Sequence, residues 1–449
     1  MEIIISANEK ILAMTQNEKK RLFKNMNEQE YMKWIHEMTE EVVNGEDGIQ
    51  KKSQFNYVSN TKSGHLIYNT LYNSLTRLTD KEYTLYITGN VEDEQTLNQF
   101  ISQGIVVDSS TDELEQYNLY VKYASLYVKQ KPHITVTPTM ECNASCFYCY
   151  EDGVRCGRMD KTDCSYIIRF LKTLDCSQGI DVTWFGGEPL MNQEWMDTFS
   201  ESLEKEGIDF SAFIITNGSK ITDEVIERMV TKWRIDDIQI TLDGCFEEYA
   251  LRKNYMDCDG NIYYRILRII GKLANAGISV QVRMNADRNN MDSILQAVED
   301  ISNLYGDNSL INCYPAFLSG TEYPLSDREK IEFIKRMIEI SNGKFNVNKY
   351  LYRLPRTMAC YYNQANAFSV DTKGDIFICE HLLGHEECSL GNIKSEVKIE
   401  QREISGRRIE CQKCVFLPKC QGGCIDALKH GEIPCFTDKY IIKAYLEMI

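Results

Sequence analysis

The sequence predicts an α/β protein built on a parallel sheet. Two observations carry this reading: from His133 onward, short β-rich runs alternate with segments of helical length and period, and the residues with chemical potential stand directly after those runs. The strand candidates are HITVTPT from 133, DVTWF from 181, AFIITNG from 212, DDIQITLDG from 236, ISVQVRMN from 278 and LINCYPAF from 310. CSYIIRFLKTL, ITDEVIERMVTKW and YRILRIIGKLANAG are among the helical segments between them. Such repeated units give a sheet that is either curved into a partial barrel or open and doubly wound, and in both forms chemistry belongs at the carboxyl ends of the strands.

Ahead of this array, the first 50 residues read as helix, with Leu22, Met26, Tyr31, Trp34, Ile35 and Met38 at near-helical spacing and a stop at Gly45. FNYVSNTKSGHLIYNT, from Phe55, predicts two strands around a Ser-Gly turn, and NSLTRLTDKEYTLYI and EQTLNQFISQGIVVD continue as helix-like segments. A hairpin with two or three helices makes a small winged-helix-like unit. After about residue 345 the βα rhythm fades and cysteines crowd in, so the chain divides into 1–125, 126–345 and 346–449.

Fifty Lys and Arg against 66 Asp and Glu leave a formal charge of −16, a balance that disfavours a nucleic-acid partner. No apolar run approaches the roughly 20 residues of a membrane span, and the start lacks the order of a signal peptide, so the expected location is the cytoplasm, with no membrane partner. Seventeen cysteines in such a chain point to thiolates, metals or clusters rather than a disulfide framework.

Cys142, Cys146 and Cys149 form a C-x3-C-x2-C set directly after HITVTPT. Three thiolates are one short of a closed zinc site, and Cys156 breaks the spacing. A [4Fe–4S] cluster held by three thiolates keeps one iron for a small molecule. With Tyr148 before the third cysteine, the set resembles the signature of the radical S-adenosylmethionine (SAM) superfamily, which implies a partial (β/α)6 TIM-like barrel. Gly186-Gly187-Glu188-Pro189, after the second strand, resembles the family's GGEP motif, whose backbone and carboxylate meet the SAM amino group. Thr216-Asn217-Gly218 and Thr241-Leu242-Asp243-Gly244 resemble its third- and fourth-strand turns, with Thr241 where serine is usual. The resemblance implies that Asn217, Thr241 and Asp243 face the SAM ribose and carboxylate, that Arg252 pairs with that carboxylate, and that Val282-Arg283-Met284-Asn285 flanks the adenine. Turn formation alone explains Asn, Asp and Gly at such places, and core packing explains Val282 and Met284.

Cys360, Cys379, Cys411, Cys414, Cys420, Cys424 and Cys435, with Gly374 between the first two, make the second set. As bare chemistry its C-x2-C pair also suits a zinc ribbon. The whole spacing resembles the SPASM domain, an auxiliary-cluster module of radical SAM maturases. That resemblance assigns Cys411, Cys414, Cys420 and Cys435 to one [4Fe–4S] cluster, and Cys360, Cys379 and Cys424 to three positions of another, three clusters in all. Leu354 stands where some relatives supply a further cysteine, leaving Cys313, Cys388, solvent or substrate as the fourth ligand. The remaining cysteines read as small apolar or inert residues.

SPASM-bearing members mostly modify peptides or proteins, use SAM, and take electrons from a donor such as flavodoxin or ferredoxin. The amino-terminal unit resembles a leader-recognition element, which binds the leader of a ribosomal precursor peptide by adding it to a sheet edge. The block from Gly374 to Ile393 also resembles the peptide-maturase form. Glu380 follows Cys379 where sulfatase maturases place an acidic base, and His381 stands beside it. The expected activity is therefore cross-linking of a precursor peptide, thioether first and carbon–carbon second. Formylglycine formation by a sulfatase maturase, and a non-catalytic iron–sulfur electron carrier, are the alternatives.

Overall fold

The computed structural model describes residues 50–61, 64–127, 131–151, 157–257, 261–306, 308–318, 324–351, 353, 364, 366–395, 409–424 and 435–449. The helix read between Leu22 and Met38 lies outside them. The chain forms two units: residues up to 130 with 347–364 and 402–449, and residues 131–346 with 365–401.

In the first unit, β1 (Gln50–Lys52) pairs antiparallel with β5 (Val106–Asp108), and β2 (Asn56–Thr61), β3 (Gly64–Asn69) and β4 (Ser74–Leu78) form an antiparallel sheet in that order. Two helix-like readings are shortened here. Asn73, at φ 56°, turns the chain so that Ser74–Leu78 pairs with β3, and the helix Asp80–Thr88 starts only at Thr79, whose side chain and backbone exchange hydrogen bonds with Glu82 in a capping box. Likewise the helix Glu94–Ser102 ends before Gly104, at φ 64°, and Val106–Asp108 is strand. Ile67, Leu78, Tyr86, Phe100, Ile105 and Val106 make one apolar core.

The carboxyl-terminal helix Thr437–Met448 belongs to this unit and packs on β2: Ser59 Oγ donates to the Leu446 carbonyl at 3.0 Å across 387 residues of sequence. Phe416 packs on Tyr57 at 5.1 Å between ring centroids, and buried Lys419 donates to Asn73 Oδ1 at 2.5 Å. The first and last sequence segments thus share a unit, a pairing that leaves no trace in local periodicity.

The second unit is built on a nine-stranded sheet in the order β11-β10-β9-β8-β7-β6-β12-β13-β14. Its strands are β6 (His133–Thr139), β7 (Ile180–Gly186), β8 (Phe210–Thr216), β9 (Ile235–Thr241), β10 (Ser279–Ala286), β11 (Ile311–Phe317), β12 (Ala367–Val370), β13 (Asp375–Phe377) and β14 (Gly391–Asn392). All six sequence-read strands are present, and β6 to β11 are mutually parallel. Their order never reverses, which excludes the doubly wound alternative: right-handed crossovers stepping in one direction put every helix on the same face. β12 extends the sheet by pairing parallel to β6, which draws residues 365–401 into this unit rather than into a separate carboxyl-terminal segment.

The two faces differ as this winding requires. Val182, Trp184, Ile214, Ile238, Ile240 and Val280 are buried, with Trp184 packed edge-on against Trp195 and Phe199 of the helix Gln193–Lys205. Val282 and Met284 also lie fully buried, so core packing accounts for them. The opposite face is polar: Tyr314 donates to Gln239 Oε1 at 2.6 Å, Asn312 donates to Gln281 Oε1 at 3.0 Å, and Arg283 stands in register between Thr241 and Tyr314. Among the described residues no helix is long and apolar enough to cross a membrane.

Candidate active site

The loop carrying Cys142, Cys146 and Cys149 leaves the carboxyl end of β6, and all three side chains are half-buried and outside any disulfide. Three neighbouring segments of the same unit hold this loop. From β7, the glycine turn comes so close that a Cβ on Gly187 would lie 2.4 Å from the Met140 carbonyl and 2.5 Å from that of Glu141, while Glu188 N donates to the Glu141 carbonyl at 2.8 Å. Gly186 adds a backbone of φ 121°, which favours glycine. From β8, Asn217 Nδ2 donates to Asn143 Oδ1 at 3.0 Å and lies 4.0 Å from Cys142 Sγ. Beyond the helix Phe246–Lys253, Ala144 bridges Tyr255, and Ser145 N donates to the Lys253 carbonyl at 3.0 Å.

Glu188 is wholly buried. Its carboxylate accepts from Thr216 Oγ1 at 2.7 Å, Asn217 N at 2.8 Å and Leu190 N at 3.1 Å, tying the ends of β7 and β8 together. Burial pushes this carboxyl up, and the three donors oppose the rise. The carboxylate that the resemblance assigns to the SAM amine thus also organises the turn, and three bonds leave it one acceptor position.

Tyr148, Asp243 and Lys253 meet beneath the cysteine loop. Lys253 Nζ lies 3.2 Å from Asp243 Oδ2 and donates to the Tyr148 hydroxyl at 2.9 Å, and that hydroxyl donates to Asp243. Lys253 is 3% exposed and Asp243 not at all. Burial pulls the lysine down, but Asp243, Tyr148 and Cys146 outweigh it and hold the ammonium well above the ordinary lysine range. Asp243 also accepts from Asn285 N at 2.8 Å, so it braces the ends of β9 and β10. Arg252 forms a second buried pair, 2.7 Å from Asp287, and its guanidinium covers the Phe147 ring at 4.9 Å. Thr241 is half-buried at the end of β9.

These residues fit an iron–sulfur cluster with SAM. Three half-buried thiols share one braced loop, the Gly186-Gly187 backbone approaches without side chains, and Arg252 Nε is buried with no partner among the described residues, as a carboxylate receptor needs. Among the described residues no three His, Cys, Asp or Glu side chains converge as for a single metal ion. A [4Fe–4S] cube is wider than one ion, and its thiolates stand correspondingly further apart.

In the same unit Cys379 is buried, with Glu380 Oε2 3.8 Å from its sulfur, and the His381 ring stacks on Tyr150 at 4.4 Å and 3°. Tyr150 is 50% exposed; burial first, then Glu151 and Glu380, raise its pKa well above the ordinary range, with Arg283 opposing. Cys388 is half-buried on the turn Glu386–Cys388. Cys313 lies fully buried on β11, where burial pushes its thiol up to about 12, the behaviour of an inert core residue.

The other unit holds Cys411, Cys414, Cys420, Cys424 and Cys435, all half-buried and outside any disulfide. Cys414 N donates to the Cys411 carbonyl at 3.0 Å, and Lys439 Nζ lies 3.7 Å from Cys435 Sγ. Cys360 and Leu354 lie outside the described residues. Sequence reasoning missed Lys253, Asn143 and Tyr150. Each adjoins a residue that was singled out, Arg252, Cys142 and Cys149, and that adjacency was the available signal.

The family model of the Radical SAM superfamily matches residues 136–301. The chain is 20% identical over 413 residues to the radical SAM cyclopropyl synthase TigE of Paramaledivibacter caminithermalis, covering 83% of this chain and 85% of that protein. It is 23% identical over 280 residues to an uncharacterised protein of Methanocaldococcus jannaschii, covering 61% and 93%. The structure of anSMEcpe with bound AdoMet shares the fold at TM-score 0.53 and 17% identity, over 70% of this chain and 95% of that one. The matched residues include the cysteine loop, the glycine turn and the strand ends described above, so residues 136–301 are a radical SAM domain and the protein is an enzyme.

Proposed function

We propose that this enzyme closes an intramolecular bond in a ribosomally made precursor peptide, starting from a C–H bond without an activating group. The observation that carries this furthest is the relationship to a cyclopropyl synthase, which runs through 83% of the chain and so extends well beyond residues 136–301. A cyclopropyl ring is closed by carbon–carbon bonds, so this relative favours carbon–carbon closure, whereas the sequence reading favours a thioether. The likeness to anSMEcpe speaks to the fold alone and adds nothing to sulfatase maturation.

Cys142, Cys146 and Cys149 would hold the SAM-binding cluster, and the Gly186-Gly187 backbone, Asn217, Thr241 and Arg252 would receive SAM. Bound there, SAM and the reduced cluster supply a 5′-deoxyadenosyl radical that takes one hydrogen atom, and auxiliary clusters at the carboxyl-terminal cysteines supply an acceptor for the surplus electron. The protein's part is placement and exclusion of water. Tyr150 and His381 stack next to Cys149 in the chain, Glu380 would accept the second hydrogen as a proton, and the edge of β4, unpaired among the described residues, would take the extended leader by strand addition.

The test is anaerobic incubation with reductant, SAM and any short open reading frame product encoded beside the gene, read by mass spectrometry before and after thiol alkylation. Loss of two hydrogens per bond is expected. A thioether also removes an alkylatable cysteine, and carbon–carbon closure leaves every thiol free. An unchanged peptide, or conversion of Cys or Ser to formylglycine, overturns the proposal.

A further inference from the structure

The cysteine loop is braced by more than its own backbone. Lys253 carries a positive charge into a fully buried site, fixed from two directions by the Asp243 carboxylate at 3.2 Å and the Tyr148 hydroxyl at 2.9 Å. Its carbonyl accepts from Ser145 N at 3.0 Å and lies 3.8 Å from Cys146 Sγ, so the residue that carries the charge is also stitched to the loop. Asp243 is held in turn by Asn285 N, and its backbone carbonyl accepts from Asn290 Nδ2, both at 2.8 Å. A lysine on a solvated helix face keeps its charge in water. Here the helix Phe246–Lys253 instead ends with the lysine buried against the one aromatic side chain between Cys146 and Cys149 that reaches inward.

We propose that Lys253 is a positioning residue that sets the reduction potential of the cluster held by Cys142, Cys146 and Cys149: its ammonium, fixed beside the Cys146 side of the loop, favours the reduced and more negative cluster, and Asp243 offsets part of that effect. The inference rests on the assignment of those three cysteines to the cluster and not on the identity of the peptide substrate. In a water-poor site a charge fixed against Tyr148, on the loop that carries the cluster ligands, acts with little screening, so adding or removing it changes the affinity of the cluster for an electron. Lys253 and Asp243 carry opposite charges, so neutralising one has the opposite sign to neutralising the other. A purely structural brace has no such signature.

The experiment is a redox titration of the full-length reconstituted protein, followed by electron paramagnetic resonance without SAM or peptide. Lys253→Met is expected to shift the midpoint of the SAM-binding cluster to more negative potential, Lys253→Arg to keep it near the parent value, and Asp243→Asn to shift it to more positive potential. Where Lys253→Met fails to fold or to bind iron, the Asp243→Asn and Lys253→Arg pair decides. A parent midpoint in Lys253→Met at parent iron content, or a midpoint in Asp243→Asn that stays fixed or moves negative, overturns the proposal. A Cys146→Ala control that keeps the same reduced-cluster signal also overturns it, but by removing the ligand assignment beneath it.

Discussion

The two cysteine regions are built in different ways. Cys142, Cys146 and Cys149 sit on one loop at the carboxyl end of β6, clamped by backbone and side-chain groups from the ends of β7 and β8 and from the helix after β9. Cys411 and Cys420 lie on two single-turn helices, Ile409–Gln412 and Leu417–Cys420, with Cys414 between them, and three left-handed residues, Gln421, Gly422 and Gly423, at φ 57°, 98° and 84°, lead to Cys424. The first region is shaped by a sheet that other elements complete. The second is shaped by its own tight turns, anchored to the β2–β4 sheet through Phe416 and Lys419. A loop shaped by its surroundings responds to changes far along the sequence, and a region shaped by local turns responds mainly to changes within it.

Loss of one ligand tests this contrast most severely. Cys142→Ala is expected to abolish SAM cleavage and to lower iron from about twelve to about eight atoms per chain, read by 5′-deoxyadenosine assay and iron analysis. Cys411→Ala is expected to lose a similar amount of iron while keeping reductive SAM cleavage, with cross-linking lost. If Cys411→Ala also stopped SAM cleavage, the two regions would not be separable. Parent iron near four atoms would remove the auxiliary clusters altogether.

Smaller effects probe the shaping itself. Gly187→Ala drives a Cβ to 2.4 Å from the Met140 carbonyl, a backbone atom that cannot swing aside. It is expected to cost about 1–3 kcal/mol of stability, with weaker SAM binding, measured by thermal unfolding and equilibrium titration. Gly423→Ala forces an alanine to φ 84° and is expected to cost about 1–2 kcal/mol with SAM affinity unchanged. A Gly423→Ala enzyme with weakened SAM binding would contradict the local character of the second region.

Much of the sheet was legible because its two faces obey one rule: Trp184 and Ile238 must be buried against helices, so their strands read clearly, and the turns carrying Gly186, Asn217 and Asp243 follow at fixed places. Ser74–Leu78 read as helix because its pattern is too short to separate the two periods, and only pairing with β3 decides it. β12 and the shared unit of residues 50–127 with 409–449 escaped because long-range pairing has no local signal. At the site, residue types were legible and partners were not. Glu188 and Asp243 have the chemistry to bind SAM, and their carboxylates also join strand ends, a role that residue type alone does not reveal.

The central claim is that this enzyme removes a hydrogen atom from a peptide and closes a bond. The most direct measurement supplies the neighbouring peptide fully deuterated at carbon, under anaerobic reducing conditions with unlabelled SAM, and reads both products by mass spectrometry. The expected result is one deuterium in 5′-deoxyadenosine for each bond closed in the peptide. Unlabelled 5′-deoxyadenosine beside an unmodified peptide would contradict the account.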